Sequence, residues 1–167
     1  MKPEIVPYDA AWPSRYEEEA ARLAEALDGV AERIDHIGST SVPGLGAKDV
    51  IDIQVSVPAF EPESLYREPL ERLGYVHRKD SVPAHRFFYR SDESGRRLVH
   101  VHVCELGSEW ERRHLAFRDR LRQEPELRRD YEDLKRRLAP LFEDSVDYAE
   151  AKSDFIRAAE RDRTARG

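Results

Sequence analysis

The segment spanning residues 34–57, IDHIGSTSVPGLGAKDVIDIQVSV, constrains the fold of this chain more than any other part of it. Residues 34–37 form a short apolar-rich run that ends at a glycine, which is typical of a strand. The glycines and the proline of residues 38–46 indicate a tight loop. Residues 50–57 are rich in β-branched side chains that alternate with polar ones, which predicts a second strand. The segment therefore predicts a strand, a loop and a strand.

The loop begins with a glycine and three hydroxyl side chains, in the order Gly38, Ser39, Thr40 and Ser41. Backbone N–H groups in such a turn can converge on an anion, and hydroxyl groups add further donors. This start of the loop is therefore a candidate phosphate-binding site. A plain turn is the alternative, because the same residue types are common in turns without a ligand. His36 precedes the turn and is expected to orient it.

Asp52 is an acid inside the very apolar second strand. Side chains alternate along a strand, so Val50, Asp52 and Gln54 are expected on one face and Ile51 and Ile53 on the other. An isolated buried carboxylate is costly, so Asp52 requires a metal, a basic partner or water in an open cleft. A metal ligand and a member of a structural ion pair are the roles that remain open for it.

The rest of the chain alternates between helical and strand patterns. Helices are predicted over residues 13–28 and 63–73, and strands over 75–78, 85–90 and 98–105. Leu65, Leu70 and Leu73 are expected to face the core, and Pro69 to kink or break its helix. Three helices follow to about residue 163, the first beginning with a capping box at Ser108. This order predicts one α+β domain over residues 1–167, with a mixed sheet and a C-terminal helical block.

The strand over residues 98–105 carries a His-x-His pattern. Four residues are expected on one of its faces, opposite the core-facing valines: Leu98, His100, His102 and Cys104. The two imidazoles would lie about 7 Å apart along the strand, which is compatible with one shared metal or with one ligand and a hydrogen-bonding neighbour. Two polar residues on a half-exposed sheet face are the alternative. His77 and His114 are expected to be structural.

Composition narrows the classes of function. The net charge of −6 argues against a broad nucleic-acid surface, which would need a basic face. No apolar run approaches 18 residues, so no membrane span is expected. Cys104 is the only cysteine, which excludes an intramolecular disulfide and favours a reducing cytoplasm.

Gly38-Ser39, a spacer and then an acid on a strand resemble the minimal motif of the nucleotidyltransferase superfamily, which includes DNA polymerase beta and the aminoglycoside nucleotidyltransferases. The string HIGSTSVPGLGAKDVIDIQVSV is similar to the GrpB family in particular, a bacterial group with that fold. Later segments agree with this family: HVHV at 100–103, WERRHLAFRDRLR at 110–122, YEDLKRRLA at 131–139 and YAEAKSDFI at 148–156. The resemblance covers nearly the whole chain and implies a nucleotidyltransferase-like sheet.

The resemblance also implies a site in which a loop holds a triphosphate and carboxylates hold one or two Mg²⁺ ions. Asp52 matches the first metal acid of the superfamily and is the candidate catalytic residue. Gln54 stands where a second acid is usual, and the neighbouring strand offers His100 and His102 in place of a third. A metal site of Asp52, Gln54, His100 and His102 carries less negative charge and suits Zn²⁺ or Mn²⁺ better than Mg²⁺.

Three basic residues are candidate phosphate contacts: Lys48, Arg86 and Lys152. Lys152 adjoins an apolar helical stripe, so its stem is expected to be partly buried, whereas a solvated helix face is the alternative. The chain is thus expected to move a nucleotidyl group from an NTP to an unknown small-molecule acceptor, with a divalent cation (Mg²⁺, Mn²⁺ or Zn²⁺). The alternative is a non-catalytic domain that binds a nucleotide or another phosphate-bearing ligand, because the carboxylate set is incomplete.

Overall fold

The computed structural model describes residues 2–80, 82–143 and 145–166. Within these ranges the chain forms a five-stranded sheet and a set of helices in an α+β arrangement, as predicted. The elements run in the order α1 (Trp12–Ala26), β1 (Arg33–Ile37), a 3₁₀ turn (Ser39–Ser41), β2 (Ile51–Val57), α2 (Ser64–Arg72), β3 (Val76–Arg78), β4 (Arg86–Ser91), β5 (Arg97–Glu105), α3 (Glu109–Gln123), α4 (Pro125–Leu138), a 3₁₀ turn (Ala139–Leu141) and α5 (Ser145–Arg166).

The sheet has the strand order β1-β2-β5-β4-β3 and is mixed. β2 and β5 pair in parallel, whereas the other neighbours pair antiparallel. Parallel strands need a long crossover, and here α2, β3 and β4 supply it. The parallel register places Asp52 beside His100 and Gln54 beside His102. Residues far apart in sequence therefore meet on one face of the two central strands.

The other face of the sheet is the main hydrophobic core. Val99, Val101 and Val103 of β5 are at most 4% exposed, which confirms the prediction that the valine face points inward. α1 and α2 cover this face through buried side chains that include Leu23 and Leu70. Two helices thus shield one face of the sheet, which leaves the face of Asp52 for the C-terminal helices.

The directions expected for two leucines, Leu65 and Leu98, are wrong. Leu65 is 53% exposed, and Tyr66 takes the inward position together with Leu70. α2 runs through Pro69 without ending. The carbonyl group that Pro69 deprives of a helical donor belongs to Leu65, on the solvent side, where water can satisfy it.

Leu98 also points the other way from the prediction. The pairing of β4 and β5 shifts by one residue between Arg90 and Ser91, so that Arg90 pairs with Val99 and Ser91 with Arg97. Leu98 is the extra residue of this bulge and packs against the core. The alternation is thereby reset, and Arg97 lies on the face of His100 instead.

The C-terminal helices pack against the loop that follows β1. Ser108 begins α3 as its N-cap and accepts a hydrogen bond from the backbone N–H of Glu111, as the capping pattern predicts. A second hydrophobic cluster joins the loop to α3 and α4: Val42, Leu45, Leu121 and Tyr131. None of the helices within the described ranges has the length and apolar character needed to cross a lipid bilayer.

Candidate active site

The turn after β1 lies directly against the side chain of Asp52. Gly38 has φ +73° and ψ −176°, a backbone region open essentially only to glycine. A Cβ atom added to Gly38 would lie 2.7 Å from Oδ2 of Asp52 and 3.0 Å from its Cβ. Glycine is therefore required at this position by the backbone and by the space available, and the turn and the acid belong to one site.

Most of the polar groups around this turn hold it in place. Thr40 is 2% exposed, and its Oγ1 lies 2.9 Å from Nε2 of His36. His36 in turn stacks on Tyr16 of α1, with ring centroids 4.6 Å apart. Burial lowers the pKa of His36 to about 4, so its ring is neutral near pH 7. Ser41 donates through its hydroxyl to the carbonyl of Gly38. His36 thus orients the turn, as its position in the sequence suggests.

Asp52, His100 and His102 form a compact cluster on the site face of the sheet. Oδ1 of Asp52 lies 3.4 Å from Nδ1 of His100 and 3.3 Å from Nε2 of His102. Burial raises the pKa of the Asp52 carboxyl, but hydrogen bonds from the two imidazoles outweigh it and hold that pKa well below its usual range. Burial also lowers the pKa of His100, against the opposing effect of Asp52.

The cluster has the donor atoms and the size of a cation site. One ligand atom from each of Asp52, His100 and His102 lies within 4.8 Å of the other two. The imidazole centroids are 6.5 Å apart, close to the spacing expected from the strand. Two imidazoles and a carboxylate are ligands that divalent metals accept, so these residues fit such a cation.

Gln54 lies beside the cluster, in register with His102, and its side chain is completely buried. Within the described part of the chain, nothing hydrogen-bonds to either the oxygen or the nitrogen of its amide. Burying an amide without a hydrogen-bond partner costs free energy, so the lack of partners makes Gln54 unusual among buried residues. It does not share the exposed edge of the cleft with Asp52.

A row of stacked rings lies next to His102. The ring of His85 lies 5.4 Å from that of His102 and 4.1 Å from that of Trp110, and Trp110 lies 4.1 Å from His114. Burial lowers the pKa of both His85 and His114 to about 4. His85 and His114 are therefore neutral near pH 7, and the row flanks the Asp52 cluster on the side of α3. The expectation that His114 is structural fits this position.

Three lysines lie near one another where the C-terminal helices meet the loop after β1. The ammonium groups of Lys48 and Lys152 lie over the ring of Tyr148, 5.6 and 4.5 Å from its centre. Lys135 is 1% exposed and donates to the carbonyl of Gly46. Burial, together with the neighbouring lysines, lowers the pKa of Lys48 and brings that of Lys135 to about 7.

Among the three lysines, the pKa of Lys152 is the one for which Asp52 is the main charged neighbour. Burial lowers its pKa to about 8, and the negative charge of Asp52 opposes this shift. Asp52 also opposes the lowering of the Lys48 pKa. Positive groups therefore collect within electrostatic reach of Asp52, in a chain whose net charge is −6.

Tyr131 of α4 brings the helical block to the turn. Its side chain is 4% exposed; burial raises its pKa, and a hydrogen bond with Ser39 opposes that shift. Sequence reasoning retained neither Tyr131 nor Lys135 as site residues. The signal was present, because the two are four residues apart and share a helix face, but nothing in the sequence showed that this face meets the turn.

The arginine expected at the site from sequence is not there, and another arginine lies beside the cluster instead. Arg86 lies on the core side of the sheet, where it pairs with Val103, packs its guanidinium 4.0 Å from the ring centre of Phe60 and donates to the carbonyl of Pro83. The structure therefore does not bring Arg86 to Asp52. Arg97, which sequence reasoning missed, stacks on Tyr89 and lies 3.4 Å from Nε2 of His100.

The sheet order, the turn and the acid together define a protein with a nucleotidyltransferase-like fold. Cid1, solved in complex with its short product ApU, aligns with a TM-score of 0.50 over 78% of this chain and 40% of Cid1. The two are 11% identical in sequence, so this likeness concerns the fold alone.

More similar proteins identify the family. The chain belongs to the GrpB family, whose model, described as GrpB protein, matches residues 2–162. The crystal structure of the conserved protein GrpB from Enterococcus faecalis aligns with a TM-score of 0.84 and 35% identity over 95% of this chain and 96% of that one. UPF0157 protein SCO7215 of Streptomyces coelicolor is 41% identical over 90% of this chain and 78% of its own length.

The relatives differ in length. UPF0157 protein YqkA of Bacillus subtilis is 35% identical over 95% of this chain, but the match spans only 46% of YqkA. This chain therefore corresponds to about half of that relative, and most of the length of SCO7215.

Proposed function

We propose that this protein binds a nucleoside triphosphate between the sheet and the helical block, and transfers its nucleotidyl group to a small cytoplasmic acceptor. The observation that carries the proposal is the contact of the Gly38 turn with Asp52, where an added Cβ would meet Oδ2 at 2.7 Å. A candidate phosphate loop and a candidate metal acid are thus a single structural unit. The nucleotidyltransferase-like fold supports the same reaction class.

Each group has a task in this proposal. Ser39 and the amides of its turn hold phosphate oxygens, while Lys48 and Lys152 neutralise the charge of the leaving pyrophosphate. Asp52, His100 and His102 would hold a divalent cation, which would lower the pKa of an attacking hydroxyl. The acceptor oxygen forms a bond to the α-phosphorus, and the bond from that phosphorus to pyrophosphate breaks.

Lys152 is the residue whose removal tests nucleotide binding most directly. A hydrogen bond to a charged group contributes about 1.5–3 kcal/mol, so Lys152→Gln should weaken NTP binding by roughly 10- to 150-fold. Lys79→Gln is the matched control, because Lys79 is exposed and lies on the short segment between β3 and β4. Calorimetric titration of wild type and both variants with each of the four NTPs measures the effect. An equal affinity for Lys152→Gln and wild type would refute the phosphate role of Lys152.

Binding without transfer is the second candidate function. It is favoured by a specific observation: the strand that carries Asp52 offers an uncharged amide at Gln54 where a second carboxylate would strengthen metal binding. Incubation with α-labelled NTPs and a pool of small hydroxyl and amine acceptors, with and without added metal, separates the two functions. Metal-dependent release of pyrophosphate together with a labelled product indicates transfer. Nucleotide binding that persists without metal, with no release of pyrophosphate, indicates a binding domain.

A further inference from the structure

Two of the three spacings between ligand atoms in the Asp52 cluster match those of a tetrahedral metal site. Zinc ligands lie about 2.0–2.2 Å from the metal, so neighbouring ligand atoms at tetrahedral corners lie about 3.3–3.6 Å apart. Oδ1 of Asp52 lies 3.4 Å from Nδ1 of His100 and 3.3 Å from Nε2 of His102. These distances require no large movement of the strands. Both nitrogens therefore already lie at a tetrahedral spacing from the carboxylate oxygen, and they lie within 4.8 Å of each other.

The chemistry of the ligand atoms points the same way. Mg²⁺ prefers an octahedral shell of oxygen atoms, and the cluster offers only one carboxylate. Two imidazole nitrogens and one carboxylate oxygen suit Zn²⁺ and its neighbours among the transition metals. Three protein ligands also leave a fourth position, which is the arrangement of catalytic rather than structural zinc sites.

The buried amide of Gln54 supplies an independent observation. A histidine that binds metal through Nε2 carries its proton on Nδ1, and that N–H is almost always held by an outer acceptor. Nδ1 of His102 is buried, and in the described ranges it has no hydrogen-bond partner; the amide oxygen of Gln54, its neighbour in register, has none either. In this structure the two groups do not bond to each other. Both are buried without a partner, and a hydrogen bond between them in the metal-bound form would remove that cost.

We propose that Asp52, His100 and His102 form a zinc-type site that discriminates against Mg²⁺, with Gln54 as the residue that positions His102. This proposal rests on the proposed function and names the class of metal that its cation site binds. Before metal binds, both imidazoles direct N–H groups at the one carboxylate oxygen. Zinc bound at these atoms would take the place of both contacts. His102 would then carry its proton on Nδ1, where the oxygen of Gln54 would accept it. His100 would carry its proton on Nε2, and the guanidinium of Arg97, which lies 3.4 Å from that atom, would have to turn away.

Metal affinity in the absence of nucleotide tests the proposal. Chelator-treated protein is titrated with Co²⁺, whose visible absorption reports tetrahedral coordination, and then with Zn²⁺, Mn²⁺ and Mg²⁺ in competition. We expect Zn²⁺ to bind at least 100-fold more tightly than Mg²⁺. Replacing Asp52, His100 or His102 by Ala should each weaken Zn²⁺ binding by at least about 100-fold, the upper end of the loss caused by removing an outer group. Asp35→Asn and His77→Gln are the matched controls and should bind as wild type.

Gln54→Met separates a positioning role from a structural one. The variant should weaken Zn²⁺ binding by about 10- to 100-fold. Its melting temperature without metal should equal or exceed that of wild type, because an unpartnered amide is replaced by an apolar side chain of similar length. Loss of metal-free stability together with unchanged Zn²⁺ affinity would overturn the role of Gln54.

The remaining outcomes are equally decisive. Mg²⁺ binding as tight as that of Zn²⁺, no metal binding, or Zn²⁺ binding that survives the Ala variants would each refute the site. Failure of the proposed function looks different: Zn²⁺ would bind with the expected ligand dependence, while no NTP would bind to the zinc-loaded or the metal-free protein.

Discussion

Substitution of Gly38 by Ala is the most direct probe of the unit formed by the turn and the acid. The backbone of Gly38 occupies a region that costs a residue with a Cβ about 1–3 kcal/mol. The new Cβ would also lie 2.7 Å from Oδ2 of Asp52 and 3.0 Å from its Cβ, closer than such atoms normally approach. Overpacking of this kind costs about 1–3 kcal/mol. Gly38→Ala should therefore lower the free energy of unfolding by about 2–6 kcal/mol.

A second glycine of the same loop separates the two contributions. Gly44 also has positive φ, +82°, but no atom lies within 4 Å of a Cβ added to it. Gly44→Ala should thus show only the backbone cost, about 1–3 kcal/mol. In an Asp52→Ala background the contact with Oδ2 is gone, so the cost of Gly38→Ala should fall towards that of Gly44→Ala.

Urea unfolding followed by tryptophan fluorescence measures these differences, since Trp12 is fully buried in the core. The double-mutant cycle between positions 38 and 52 gives the energy of the contact with the Asp52 carboxylate. If Gly38→Ala is no more destabilising than Gly44→Ala, and the cycle shows no coupling, then the turn does not press on the acid and the reasoning is refuted.

Three further predictions concern charge. Stability should fall as the pH is lowered from about 6.5 towards 4, because His36 takes up a proton there in the unfolded chain but stays neutral in the folded one, where its pKa is about 4. One such group contributes up to about 3 kcal/mol. Urea melts at pH 7 and 4.5 should therefore show a shallower decline for His36→Gln than for wild type. NTP affinity should weaken as the pH rises through about 8, where Lys152 loses its proton in the free protein, and calorimetry of Lys152→Gln should lack this dependence. Arg90→Ala should destabilise by up to about 3–5 kcal/mol, since it removes the closer of the two ion pairs of Glu19, which is 5% exposed and keeps only Arg22 at 3.4 Å. Tyr75→Phe removes only a hydrogen bond to the same carboxylate and should cost about 1–3 kcal/mol; equal urea midpoints for the two variants would contradict this.

The alternation of side chains along strands placed His100 and His102 on one face of their strand, and the family resemblance placed that strand beside the one that carries Asp52. The alternation held because β2 and β5 are regular where these residues lie. It predicted the wrong direction for Leu98, because a bulge resets the alternation and no residue type at that position indicates a bulge. Arg97 was missed for the same reason.

The contribution of the helical block was harder to predict. Lys135 and Tyr131 approach the turn only because α4 packs on the loop after β1, a contact between residues more than 80 positions apart. Periodicity shows which residues share a helix face but not what that face meets. The inward direction of Tyr66 in place of Leu65 is a smaller error of the same kind, since both are able to cover a sheet.

The parallel pairing of β2 and β5 has a consequence for how the protein folds. The two strands that carry the site lie 50 positions apart at the contact of Asp52 with His102, and the whole crossover must be in place before they can align. Pairings between such distant segments form slowly, because the entropy of closing the loop must be overcome first. A partly folded chain therefore presents one ligand on β2 and two on β5 with no fixed distance between them. During refolding, the colour of bound Co²⁺ should appear only with the slowest phase, so that the metal reports when the centre of the sheet has closed.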